Sequence, residues 1–111
     1  IKDPSDDYPD FAGKLAKRVA KDGTQGILVC GAGHGMCIAA NKVKGIRAVV
    51  PWSFKEVKLA RQHNDANVVC LSGWDHTPHY STKLMQRFLE TPFPGEERHV
   101  RRLNKIKKLE Q

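Results

Sequence analysis

The chain has 111 residues, 40% of them hydrophobic, and a formal net charge of +7. That length suits one domain with a real core, and no apolar run approaches the roughly 20 residues a membrane-spanning helix needs. Three cysteines without CxxC spacing or a neighbouring histidine cluster point away from a disulfide framework and a structural zinc, and toward free thiols in a reducing, cytoplasmic setting.

The acidic opening, residues 1–7, reads as irregular and unlike a secretory signal. A helix follows from Tyr8, with Pro9 in its first turn, where a missing N–H costs nothing. Phe11, Leu15 and Val19 recur at helical spacing, and Gly23 supplies the stop. The run GILVC, 26–30, is the first strand. A glycine-rich turn, Gly31-Ala32-Gly33-His34-Gly35, then leads into a helix ending near Asn41. Residues 46–50 read as a second strand, apolar apart from Arg47, as suits burial on both faces of a parallel sheet. Pro51-Trp52 breaks it. Ser53 and Glu56 form a capping box for a helix that carries Val57, Leu59 and Ala60 and ends at 62–64. Residues 68–71 are a third strand. Thr77 caps and Pro78 starts another helix, with Leu84, Phe88 and Leu89 turned inward. After the turn 91–95, the last helix begins at about Glu96, with Glu96 and Glu97 at its positive end. Its apolar series Val100, Leu103 and Ile106 needs something to pack on.

Strands alternating with helices predict a single α/β domain over residues 1–111: a Rossmann-like three-layer sandwich, with a parallel sheet and helices on both faces. Ligands of such sheets bind at the carboxyl ends of the strands. Cys30, Pro51-Trp52 and Ser72-Gly73-Trp74 all follow strand ends and should share that rim. The glycine turn can converge backbone N–H groups on an anion, helped by the positive end of the next helix, and a thiolate at Cys30 gains from the same field. It is neither the dinucleotide fingerprint nor a P-loop. A glycine loop can also serve packing alone, and Cys30 can be a small strand-end residue; the residues by themselves leave both readings level. The late basic cluster, Arg98, Arg101, Arg102, Lys105, Lys107 and Lys108, suits nucleic acid, small phosphates or a solvated helix face. No aromatic platforms flank it, which speaks against a single-strand binder.

Three blocks, VCGAGHGMCIAANKVKGIRA, LARQHNDANVV and PFPGEERHVRRLNKI, make the chain closely resemble type B ribose-5-phosphate isomerases, a family that includes galactose-6-phosphate isomerase subunits. The resemblance covers nearly the whole chain. It implies an aldose–ketose isomerase of the pentose phosphate pathway that works through an enediolate, without metal or other cofactor, on a small-molecule sugar phosphate. It assigns proton transfer between C1 and C2 to Cys30 and ring opening to His63, with Asn64 beside it. Tyr8 and the loop Gly31, Ala32, Gly33, His34 and Gly35 line the site, and Arg98, His99 and Arg102 hold the phosphate across a subunit interface. The implied partner is a second copy of the chain, in a homodimer or tetramer with shared sites; neither nucleic acid nor membrane is implied.

The chain departs from the family pattern in several places. Ala32 stands where the family usually has Ser or Thr, and Ser72-Gly73-Trp74 stands where it has Gly-Gly-Arg. The family also begins roughly 40 residues earlier, about one strand–helix–strand unit. These departures keep open an alternative: a non-catalytic sugar-phosphate-binding homologue or partner subunit of the same fold.

Overall fold

The computed structural model describes residues 7–110; of the irregular opening expected at 1–7, residues 1–6 lie outside them, and Asp7 is extended before the first helix. Helix α1 (Tyr8–Asp22) carries Pro9 in its first turn and stops at Gly23, whose N–H bonds the Val19 carbonyl from a left-handed conformation. It leads into β1 (Gly26–Cys30), α2 (His34–Asn41), β2 (Ala48–Val49), α3 (Phe54–Asn64), β3 (Val68–Ser72), α4 (Pro78–Glu90) and α5 (Glu97–Leu109). The three strands form one parallel sheet in the order β1-β3-β2.

Strand alternation sorts the core into two layers. Leu28, Ala48, Val68 and Cys70 face α1 and α2, meeting Ala12, Ala16, Met36 and Ala40. Val69 and Leu71 face α3 and α4, meeting Val57, Leu84 and Phe88. The central strand β3 is buried along its whole length, as a strand with helices on both faces must be. Strand β1 pairs with β3 alone among the described residues, and its Val29 is half exposed.

The second strand is shorter than its apolar run. Only Ala48 and Val49 pair with β3, opposite Val68 and Val69. The flanking polar groups are taken by side chains instead. The Arg47 N–H donates to Asn67 Oδ1 at 2.7 Å, and the Ala48 N–H to Asn41 Oδ1 at 2.8 Å, while Asn41 Nδ2 returns a bond to the Ala48 carbonyl at 3.0 Å. Asn41 thus occupies the outer edge of β2 as a neighbouring strand would, and Pro51 brings no N–H to extend the ladder. A second difference falls on α4. Leu84 and Phe88 are fully buried, but Leu89 is 55% exposed, because consecutive helical residues sit 100° apart. The inward face is Ser81, Leu84 and Phe88.

Both expected side-chain caps hold. Ser53 Oγ accepts from the Glu56 N–H, and Thr77 Oγ1 from the Tyr80 N–H. The Glu56 carboxylate reaches one residue further back than a capping box requires, to the Trp52 N–H at 2.7 Å. At the far end of α3, Asp65 adopts a left-handed φ of 46°. Its carboxylate takes Arg61 at 2.8 Å and Arg47 at 3.5 Å. Arg61 is itself buried, and its guanidinium also serves the Ala66 and Thr91 carbonyls. These bonds fix where α3 ends and β3 begins.

Phe88→Ala is expected to cost about 3–5 kcal/mol of unfolding free energy, and Leu89→Ala less than about 1 kcal/mol, in urea titrations. Equal losses would mean that α4 presents a different face.

Candidate active site

Two groups of polar residues stand at opposite ends of the sheet. At the carboxyl rim, parallel register sets Cys30 beside Ser72, and the turn after β3 folds back onto it. The Gly73 N–H donates to the Cys30 carbonyl at 2.7 Å and the Trp74 N–H to the Gly31 carbonyl at 3.2 Å. Both carbonyls therefore face the β3–α4 turn. In an extended strand, successive carbonyls alternate sides. Here two in a row point the same way, and across a trans peptide the next N–H lies opposite each carbonyl. The N–H groups of Gly31 and Ala32 consequently point together, away from the turn, in a concave arrangement suited to an anion.

Gly33 continues the loop at φ 88°, a left-handed conformation that strains residues with a Cβ, and serves as N-cap of α2. It offers no capping side chain, so the first N–H groups of α2 keep their donor capacity and the helix keeps its positive end open toward the loop. Two aromatic side chains flank this cradle. The Trp74 indole lies against Gly31, where a Cβ would sit 2.5 Å from its Cζ2. Tyr8 covers Gly35, where a Cβ would sit 2.6 Å from its Cζ. Trp74 is nevertheless 82% exposed, its other face open to solvent. Cys30 is half-buried at the mouth of the loop, Ala32 is half-buried, and His34 is exposed. Further along the rim, Trp52 meets His76 edge-on with ring centroids 4.9 Å apart.

The other two cysteines are placed differently. Cys70 is fully buried in β3, and its thiol pKa is pushed up, first by its hydrogen bond with Cys37 and then by burial. Cys37, on α2, donates to the Ala48 carbonyl at 3.2 Å.

The second group lies at the amino end of the strands. Helix α3 starts just after β2 and runs back down the sheet, so His63 and Asn64, in its last turn, sit beside the start of β3. His63 stacks on His99 of α5 with ring centroids 4.3 Å apart. His99 is 5% exposed, and its Nδ1 has no hydrogen-bond partner among the described residues. Arg98 pairs with Glu96 at 3.0 Å, and Arg102 is exposed. From Gly26 to Cys30 the sheet rises roughly 13 Å along the strands. The fold thus gathers Cys30, Tyr8 and the loop 31–35 at one end, and His63, Asn64, Arg98, His99 and Arg102 at the other.

Sequence reasoning named the members of both groups but missed two connections: the stacking of His63 on His99, and the part of Ser72 beneath the glycine loop. Ser72 is 1% exposed; a lone serine closing an apolar strand was its only signal.

The sequence matches the Ribose/Galactose Isomerase family model over residues 1–106. The chain belongs to that family. It is 48% identical to the probable ribose-5-phosphate isomerase B of Mycoplasma genitalium, over 98% of this chain and 72% of that protein. It is 39% identical to ribose-5-phosphate isomerase B of Mycobacterium tuberculosis, over 98% of this chain and 68% of that one. Its fold is similar to two solved family structures. One is the Mycoplasma genitalium enzyme with bound ribulose-5-phosphate, with a TM-score of 0.92 and 47% identity over 99% of this chain and 73% of that one. The other is the type B ribose 5-phosphate isomerase of Trypanosoma brucei, with a TM-score of 0.91 and 50% identity over 94% of this chain and 70% of that one.

Burial, then the neighbouring His63, Arg98 and Arg102, hold the His99 pKa below the usual histidine value, with Glu96 acting against them. An unfolded chain takes up this proton near pH 6.5, whereas the folded chain resists it until the pH is lower. Stability is therefore expected to fall as the pH drops from about 6.5 toward the depressed folded value. His99→Gln should flatten that part of a pH series of urea midpoints; an unchanged slope would show that the histidine is as free to protonate folded as unfolded.

Proposed function

We infer that this chain is an aldose–ketose isomerase of sugar phosphates, interconverting ribose 5-phosphate and ribulose 5-phosphate through an enediolate. The observation that carries this reading is the likeness to the ribulose-5-phosphate-bound family structure, at 47% identity. The rim geometry is what the chemistry asks for. Isomerisation needs one base that can reach two adjacent carbons and fixed donors for the oxygen that gains charge. Cys30, as thiolate, removes the proton from C2, and the C–H electrons become the C1=C2 bond of the enediolate. The same sulfur returns the proton to C1, while the hydroxyl proton moves from O2 to O1. The N–H groups of Gly31 and Ala32 face the developing oxyanion, and backbone donors of this kind need no reorientation during the reaction. Ala32 adds no hydroxyl, so backbone donors carry this part alone. His63 opens the furanose ring before proton transfer, with Asn64 beside it. Arg98, His99 and Arg102 take the phosphate dianion, with Arg98 exchanging its Glu96 partner for it.

One chain does not bring these groups together, because the length of the strands separates Cys30 from His63. A site that uses both takes Cys30 from one copy and His63 with the α5 cations from another. A two-fold homodimer does this with two equivalent sites. The half-exposed apolar residues Val100 and Ile106 of α5, with Leu103, line a groove of about 300 Å³ with Ile46 and Phe93, leaving apolar surface for such an interface. The three free thiols suit a reducing cytoplasm.

Cys30→Ala is expected to lower turnover by about 10²–10⁴-fold while leaving substrate affinity near that of the wild type. Near-normal turnover would remove Cys30 from the mechanism. Complementation tests the shared site. Cys30→Ala and His63→Ala homodimers, each inactive, should regain about a quarter of wild-type activity when subunits are exchanged, because half the dimers become hybrids with one intact site each. No recovery after verified exchange would place both residues in one chain's site.

A further inference from the structure

Beneath the glycine loop, Ser72 closes the buried strand β3. Its hydroxyl accepts the Asp75 N–H at 3.1 Å and lies 2.7 Å from the Gly31 carbonyl and 2.8 Å from Asp75 Oδ2. A hydroxyl has one hydrogen to donate, so the Gly31 carbonyl and the Asp75 carboxylate compete for it. The Gly31 carbonyl also takes the Trp74 N–H, and the Trp74 ring rests on Gly31. The Gly31 carbonyl is therefore held by the Ser72 hydroxyl at the end of β3 and by the Trp74 N–H of the turn, with the Trp74 ring packed on Gly31 itself. Because the peptide is planar, whatever fixes the Gly31 carbonyl also fixes the direction of the Ala32 N–H.

We propose that Ser72 is a positioning residue for the isomerisation: its hydroxyl holds the Gly31 carbonyl so that the Ala32 N–H stays aimed at the enediolate oxygen. The assignment rests on the isomerase reading, in which that N–H is an oxyanion donor. It also accounts for how a loop lacking a hydroxyl at position 32 keeps a well-directed donor. The orientation is set from behind, by a side chain that never touches substrate. Asp75 has the opposite effect, since its carboxylate draws the Ser72 hydrogen away from Gly31 and its charge adds nothing favourable beside an anion.

The test compares Ser72→Ala and Asp75→Ala with the wild-type full-length protein. Ser72→Ala should lower kcat about tenfold with KM nearly unchanged, because substrate in its ground state makes less use of the donor than the enediolate does. Its affinity for a phosphorylated hydroxamate, which carries the oxygen pattern of the enediolate, should fall by a similar factor. The 15N shift of the Ala32 amide, which shares its peptide group with the Gly31 carbonyl, should move in the free protein. Asp75→Ala should keep kcat at or above the wild-type value, since the hydroxyl then serves Gly31 alone. Ser72→Cys, similar in shape but a weaker donor, replaces Ser72→Ala if that variant does not fold. An unmoved Ala32 amide, a loss confined to KM, or an equal kcat loss in Asp75→Ala would each overturn the assignment. If the wild-type protein turns over no ribose 5-phosphate, the isomerase reading fails by itself, and the amide shift still decides whether Ser72 holds the peptide.

Discussion

A strand buried on both faces has no room for an unpaired polar group, and this constraint organises the molecule. From Val68 to Leu71, β3 meets it with apolar side chains. At Ser72 it carries a hydroxyl into the same dry environment, where an unsatisfied polar group costs a few kcal/mol. That hydroxyl finds its partners in Asp75 of the following turn and in the Gly31 carbonyl of the loop that follows β1. The requirement of the core and the shaping of the loop are thus met by the same bonds. Gly31 is tied to the end of β3 and its turn through its carbonyl, and its N–H side is thereby left facing outward.

The same economy appears at the other end of the sheet. Arg61 enters the core because the end of α3, the start of β3 and the end of α4 all bring carbonyls or a carboxylate to its guanidinium. A buried cation bonded to three such groups ties these segments to one arrangement. It lies two residues before His63, so the turn that displays the histidine is held from inside. Each group of candidate site residues therefore rests on a buried polar side chain rather than on loop backbone alone.

Much of this was legible in the sequence. GILVC is a strand to the residue because a short β-branched run between a helix stop and a glycine loop has few alternatives. The caps at Ser53 and Thr77 were readable because N-capping is local chemistry. The shortened β2 was not. Its limits are set by Asn41 and Asn67, whose side chains reach it only after folding, and an apolar run cannot report bonds made to its flanks. The inward reading of Leu89 failed on a single 100° step around the helix. Cys30 and its loop could be recognised together because they are contiguous. The distance from Cys30 to His63 could not, because it follows from the direction in which α3 crosses the sheet.

The placement of Trp74 has a bearing on how the rim can be watched. Its ring lies against Gly31 while most of its surface stays in solvent. An indole at such a boundary is a fluorophore whose emission follows the polarity around it. The chain's other tryptophan, Trp52, is half exposed further along the same rim, edge-on to His76. Both emitters therefore stand at the carboxyl end of the strands and neither at the end where α5 packs, so the native fluorescence of the molecule reports on the glycine loop and its surroundings.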